Sequence, residues 1–116
     1  MKRFLAVFTG TPDKLTQWMA LSEAERKQRE ADGMAAWTKW AEDHASIIED
    51  MGGPLSRTKR VASDGISDVR NNLGGYTVLR AESQEAAARL FINHPHFTLF
   101  PGDAVEVMEV LPVPGG

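Results

Sequence analysis

The chain contains no cysteine, which removes disulfides, iron-sulfur clusters, thiolate zinc sites and cysteine nucleophiles together. It also lacks a surplus of positive charge: 13 Lys and Arg stand against 16 Asp and Glu, a net charge of -3, and the basic residues are dispersed. A dedicated nucleic-acid binder clusters a basic excess on one face, so no nucleic-acid partner is expected. Long apolar runs are missing too. None nears the ~20 residues of a membrane helix, and the five-residue run Phe4 to Phe8 is too short for the apolar region of a secretion signal. No membrane partner is expected, and the cytoplasm is the expected address. No nucleotide-binding glycine signature, paired metal-ligand set or nucleophile elbow is present, so no motif names a reaction.

What is present is an ordinary globular composition, 42% hydrophobic and 25% charged over 116 residues. That length predicts one domain, 1–116, burying ~60–70% of its unfolded surface. Lys2 to Thr9 is apolar on both alternating sets, as in a central strand, and Thr11-Pro12-Asp13 ends it. Ser22 with Glu25 three residues on makes a capping box, Glu23 to Glu30 is a solvated helical piece, and Gly33 marks a bend or break. Met34, Trp37, Ala41, His44, Ile48 and Met51 recur at helical spacing, predicting an amphipathic helix over Met34–Met51, stopped by Gly52-Gly53-Pro54. Leu55 to Ala62, with Arg57, Lys59 and Arg60, suits an edge strand. Ser63 to Gly75 reads as a loop or hairpin connection, with a tight turn at Asp64-Gly65. Tyr76 to Ala81 is the next strand. Ser83 caps a helix whose Ala86, Ala87, Leu90 and Phe91 face one side, ended by Asn93 and His94-Pro95. Ala104 to Leu111 is the last strand.

The order β, α, β, β, α, β with right-handed crossovers gives an α+β fold of the ferredoxin-like kind, a four-stranded antiparallel sheet with both helices on one face. The uncovered face should be apolar, since Leu5 and Val7 back Phe4, Ala6 and Phe8, and Val105, Val107 and Leu111 back Ala104, Met108 and Val110. Such a face predicts a homodimer.

The segment DGISDVRNNLGGYTVLRAESQEAAARL resembles the YCII-related, or DGPF-domain, family, whose pattern is Asp-Gly-Pro-Phe, a short loop, Gly-Gly-Tyr, a strand and an acidic-Ser helix start. Asp64-Gly65 and Gly74-Gly75-Tyr76 match; Ile66-Ser67 replace the Pro-Phe; the closing VEVMEVLP is similar to the family's final strand. The resemblance implies a dimeric α+β barrel, two ferredoxin-like subunits packed sheet to sheet, with a cleft between sheet and helices in each. It implies no defined reaction, although some members are suspected of chemistry around a His and Asp pair. In one branch that His directly follows the first strand, where this chain has Thr9-Gly10-Thr11, so the pair is not carried over.

The candidates for acid/base chemistry are His94 with Asp103, and His44 in the apolar stripe, because an imidazole beside a carboxylate is held near neutral pKa. Trp37, Trp40, Tyr76, His96 and Glu106 are the candidate ligand-binding set. Beside each stands a structural reading: His94 as a helix cap, His96 as a solvated loop residue, His44 bonded to a carbonyl or to Tyr76, and the tryptophans as core. His94 and His96 with Asp103 or Glu106 resemble a zinc or ferrous set, and the fold's relatives include haem enzymes, but two nearby histidines are common and fold does not carry function. No metal and no cofactor are expected. Two readings follow: a dimer binding a small metabolite in the sheet/helix cleft with His/carboxylate catalysis, or a non-catalytic ligand-binding or protein-interaction module with structural histidines.

Overall fold

The computed structural model describes residues 1–115. Its elements in chain order are β1 (Lys2–Thr9), α1 (Pro12–Met19), α2 (Glu23–Asp43), β2 (Ile48–Pro54), β3 (Thr58–Ala62), β4 (Gly65–Val69), β5 (Leu73–Ala81), α3 (Gln84–Arg89), α4 (Pro95–Thr98) and β6 (Ala104–Glu109). The main sheet is four-stranded, ordered β2-β5-β1-β6, and every pairing in it is antiparallel. This is the ferredoxin-like order, with α1 added before α2 and a separate two-stranded hairpin, β3–β4, inserted between the second and third sheet strands.

The core follows from alternation along β1. Phe4, Ala6 and Phe8 are buried, together with Leu79 and Ala81 of β5, against Trp40, Ala87 and Phe91 from the helical side. Antiparallel partners share a face, so Val105 and Val107, opposite Phe8 and Ala6, pack against this core. The other face carries Leu5, paired with Val78 and Met108, and Val7, paired with Tyr76 and Glu106. The expected apolar face is therefore bare, but it is built by Leu5, Val7, Val78 and Met108; Val107 lies on the helix side.

Three local expectations change. Thr11-Pro12-Asp13 ends β1 and also starts α1: the Thr11 hydroxyl accepts the Lys14 N–H at 3.3 Å and proline takes the first turn, where its missing N–H costs nothing. Gly33 neither bends nor breaks α2, which runs unbroken over 21 residues. A Cβ at Gly33 would lie 2.5 Å from the Phe100 ring, so the glycine makes room for an aromatic on the helix. The predicted Met34–Met51 helix stops at Asp43, and Ile48 enters β2, pairing with Leu79. The β-branched pair Ile47-Ile48 and the open edge of β5 override the helical spacing. Met34 and Met51, counted in the stripe, are exposed.

The consequences propagate. Gly52-Gly53-Pro54 ends a sheet strand rather than a helix, and it is β2 that forms the sheet edge. Thr58–Ala62, expected at that edge, pairs instead with Gly65–Val69 around the Ser63-Asp64 turn. β6 ends at Glu109, and His94-Pro95 opens the short α4 as well as following α3. Both serines cap their helices, Ser22 accepting from Glu25 and Ser83 from Ala86 at 3.1 Å, although among the described residues the Glu25 carboxylate does not return a bond to complete a capping box.

Candidate functional site

His94 sits at the centre of the helix side of the sheet, 1% exposed. The ring centroids of Trp37, Trp40, Phe8 and Phe91 lie 4.6, 4.9, 5.4 and 5.6 Å from its own. Its Nδ1 accepts the His96 N–H at 3.0 Å, which makes it the N-cap of α4, while its buried Nε2 has no hydrogen-bond partner. Burial, with smaller contributions from the His96 and His44 imidazoles, lowers its pKa to about 4. A charged imidazole in an aromatic box loses its hydration without gaining a counter-ion, so His94 is neutral at pH 7.

His96 is half-buried, and its Nε2–H donates to the Thr9 carbonyl at 2.7 Å. The same carbonyl accepts the Asp103 backbone N–H at 2.9 Å. Burial lowers the His96 pKa, opposed by the Thr9 hydrogen bond and by the negative charge of Asp103. The end of β1 thus gathers His96 and Asp103, and the carboxylate acts on His96 rather than on His94.

His44 ends α2, with its Nδ1–H donating to the Trp40 carbonyl at 2.7 Å and its ring 4.8 Å from Trp40. The same carbonyl also accepts the His44 backbone N–H at 3.1 Å, so the imidazole adds a second bond at the helix end. Trp40 in turn donates its Nε1–H to the Leu90 carbonyl at 2.8 Å, tying α2 to the end of α3. Trp37 completes the packing around His94. Tyr76 points to the bare face, where its hydroxyl donates to Asp50 at 3.3 Å, and Glu106 shares that face through its pairing with Val7. Neither meets the histidines. Among the described residues no three His, Cys, Asp or Glu side chains gather closely enough to hold a metal ion, and no helix is long and apolar enough to cross a membrane.

The middle of the space between sheet and helices, where a ligand cleft was expected, is filled by these rings, and a shallow hollow of about 300 Å3 remains there beside Phe91, Phe97, Asp103 and Val105. An open cleft of about 1100 Å3 lies instead beyond the end of β1. It is lined by Gly10, Thr11 and Leu15 after β1, by Arg57 and Arg70 at the hairpin base, and by Leu73 and Pro101. Arg57 reads as a sheet-edge charge in the sequence, and the expected turn at Asp64-Gly65 lies one residue early, at Ser63-Asp64, where the chain folds back into a hairpin separate from the main sheet. Folding the chain at that turn places Thr58 opposite Val69 and brings Arg57 and Arg70 to the same end.

No family model matches the chain, and no curated protein matches it. Among solved structures, the chain is similar to 5-chloro-2-hydroxyhydroquinone dehydrochlorinase from Burkholderia phenoliruptrix AC1100 in complex with 2,5-dihydroxybenzoquinone. The TM-score is 0.53 at 20% identity, over 91% of this chain and 90% of that one, a likeness of fold.

Proposed function

We propose that the protein is a cytoplasmic homodimer of the YCII-related kind that binds a small metabolite in the cleft beyond the end of β1. The open cleft of about 1100 Å3 carries this reading, since it has room for a small molecule and is lined by both polar and apolar residues. Kinship is supported by the Asp64-Gly65 and Gly74-Gly75-Tyr76 matches, and by the shared fold of a dehydrochlorinase that holds a small ring compound. Dimerisation is supported by shape. The subunit is a slab of 54 × 43 × 19 Å with a radius of gyration of 16.2 Å, against about 13 Å for a compact chain of this length. A second copy on the bare face would thicken the slab and cover Leu5, Val78 and Met108.

For proton transfer, His96 with Asp103 is the better-placed pair, since Thr9, whose carbonyl His96 holds, adjoins Gly10 of the cleft lining. His94 and His44 are engaged in holding helix ends, which favours the non-catalytic alternative for those two. Native mass spectrometry of the purified protein tests the reading. The expected result is a two-chain mass with a small-molecule adduct that is lost in Leu15→Trp, where an indole fills the cleft. A monomer sinks the assembly, and an adduct that survives the substitution sinks the cleft. Addition of His96→Gln separates the roles: ligand bound but unturned supports catalysis, ligand turned over as before supports binding alone.

A further inference from the structure

The hairpin's charges are matched except at its base. Lys59 pairs with Asp68 and Arg60 with Asp64, while Arg57 and Arg70, which flank the Thr58–Val69 pair at the open end, have no carboxylate partner among the described residues. This occurs in a chain with an excess of acidic side chains. Two cations just beyond the last pair of a hairpin ladder repel one another, and that arrangement becomes favourable when an anion lies between them. Both arginines line the cleft, as does the start of α1, Gly10-Thr11-Pro12, where the helix dipole also favours negative charge. The one acidic side chain on the lining, Asp68, is bonded to Lys59. Leu15, Leu73 and Pro101 supply an apolar part.

We propose that this cleft selects an amphipathic oxyanion: Arg57 and Arg70 hold the carboxylate or phosphate of a small molecule whose apolar body lies on Leu15 and Leu73. The assignment rests on the reading of the cleft as the ligand site and adds the class of ligand. Guanidinium forks match planar and tetrahedral oxyanions through paired N–H donors, which lysine does not reproduce.

The experiment is a titration of the dimeric protein with matched aryl and alkyl carboxylates, their neutral amides, the corresponding aryl phosphates, and inorganic phosphate alone. Binding is read from the backbone amide resonances of Gly10, Thr11 and Leu73. The acids are expected to shift these resonances at concentrations at least tenfold lower than the amides. Arg57→Gln and Arg70→Gln should each remove that preference, with the rest of the spectrum unchanged, because both side chains are exposed. The acids' affinity should fall with added salt. Aryl phosphates binding in place of carboxylates would assign the headgroup within the same class. Amides that bind as well as acids overturn the anion selection and leave the cleft standing as a site. Inorganic phosphate binding as tightly as the aryl acids overturns the apolar half. If no compound of either series moves these resonances, the cleft reading fails as well.

Discussion

His94 Nδ1 accepts the backbone N–H of His96 at 3.0 Å, and this bond fixes where the proton of a buried imidazole must be. With Nδ1 accepting, the neutral ring carries its hydrogen on Nε2, which is buried without a hydrogen-bond partner among Trp37, Trp40, Phe8 and Phe91. Aromatic faces accept N–H groups weakly, so the fold tolerates one poorly satisfied donor but not a charge on the ring.

Stability should therefore depend on pH through His94. Its pKa is about 4 in the fold and about 6.5 in the unfolded chain, so the unfolded state binds the extra proton between those values. Stability is full above about pH 6.5 and falls as pH drops towards 4, by about 3 kcal/mol from this group. His96, also lowered, adds loss of the same sign. Urea titrations at fixed protein concentration, at pH 7 and pH 5, measure the difference. In His94→Phe, which fills the box and removes the titrating group, the pH 7 to pH 5 loss should shrink; an unchanged loss would exclude His94 as its source.

Gly52 has φ +64, and a Cβ there would stand 1.9 Å from the Tyr76 carbonyl oxygen, inside the β2–β5 pairing. Both the left-handed backbone and the contact penalise any side chain, and the contact is with backbone that cannot swing away. Gly52→Ala should cost more than about 2 kcal/mol in denaturant unfolding. Gly53→Ala, at the next residue and with open space around its Cβ, is the matched control and should cost less than about 1 kcal/mol.

Trp40 joins two helices by one hydrogen bond, from Nε1 to the Leu90 carbonyl at 2.8 Å, within an otherwise apolar contact. Trp40→Phe keeps an aromatic against Phe91 and removes the donor, so it should cost about 1–3 kcal/mol through the unpaired carbonyl and lost volume. Circular dichroism melting should show a lowered midpoint with the helical signal retained at low temperature.

Where local signals and the fold agree, the sequence was readable. Phe4, Ala6 and Phe8 alternate as a central strand, and Ser22 and Ser83 cap the helices they precede. Where one residue type serves two signals, it was not. Thr11-Pro12-Asp13 both ends a strand and begins a helix, and Ile48 suits a helical stripe until the free edge of β5 claims it. The histidine turn was legible as a feature but not in its detail. Whether His94 or His96 meets Asp103 depends on how tightly α4 turns, which adjacent residues in sequence do not reveal.

The sheet's two faces make opposite predictions for neighbouring residues of β6. Met108, 41% exposed, pairs with Leu5 on the bare face, whereas Val107 pairs with Ala6 and packs on the core. If two copies meet through the bare face, Met108→Glu places a charge in the contact and should yield monomers that unfold at a denaturant concentration no longer dependent on protein concentration. Val107→Glu half-buries a carboxylate against the apolar core and should lower subunit stability by about 1–3 kcal/mol whether or not a dimer forms. Light scattering coupled to gel filtration reads the first effect and urea unfolding the second. A Met108→Glu protein with the mass of the unsubstituted assembly would move the interface away from this part of the β6 edge, since a glutamate buried in a contact cannot be desolvated without cost.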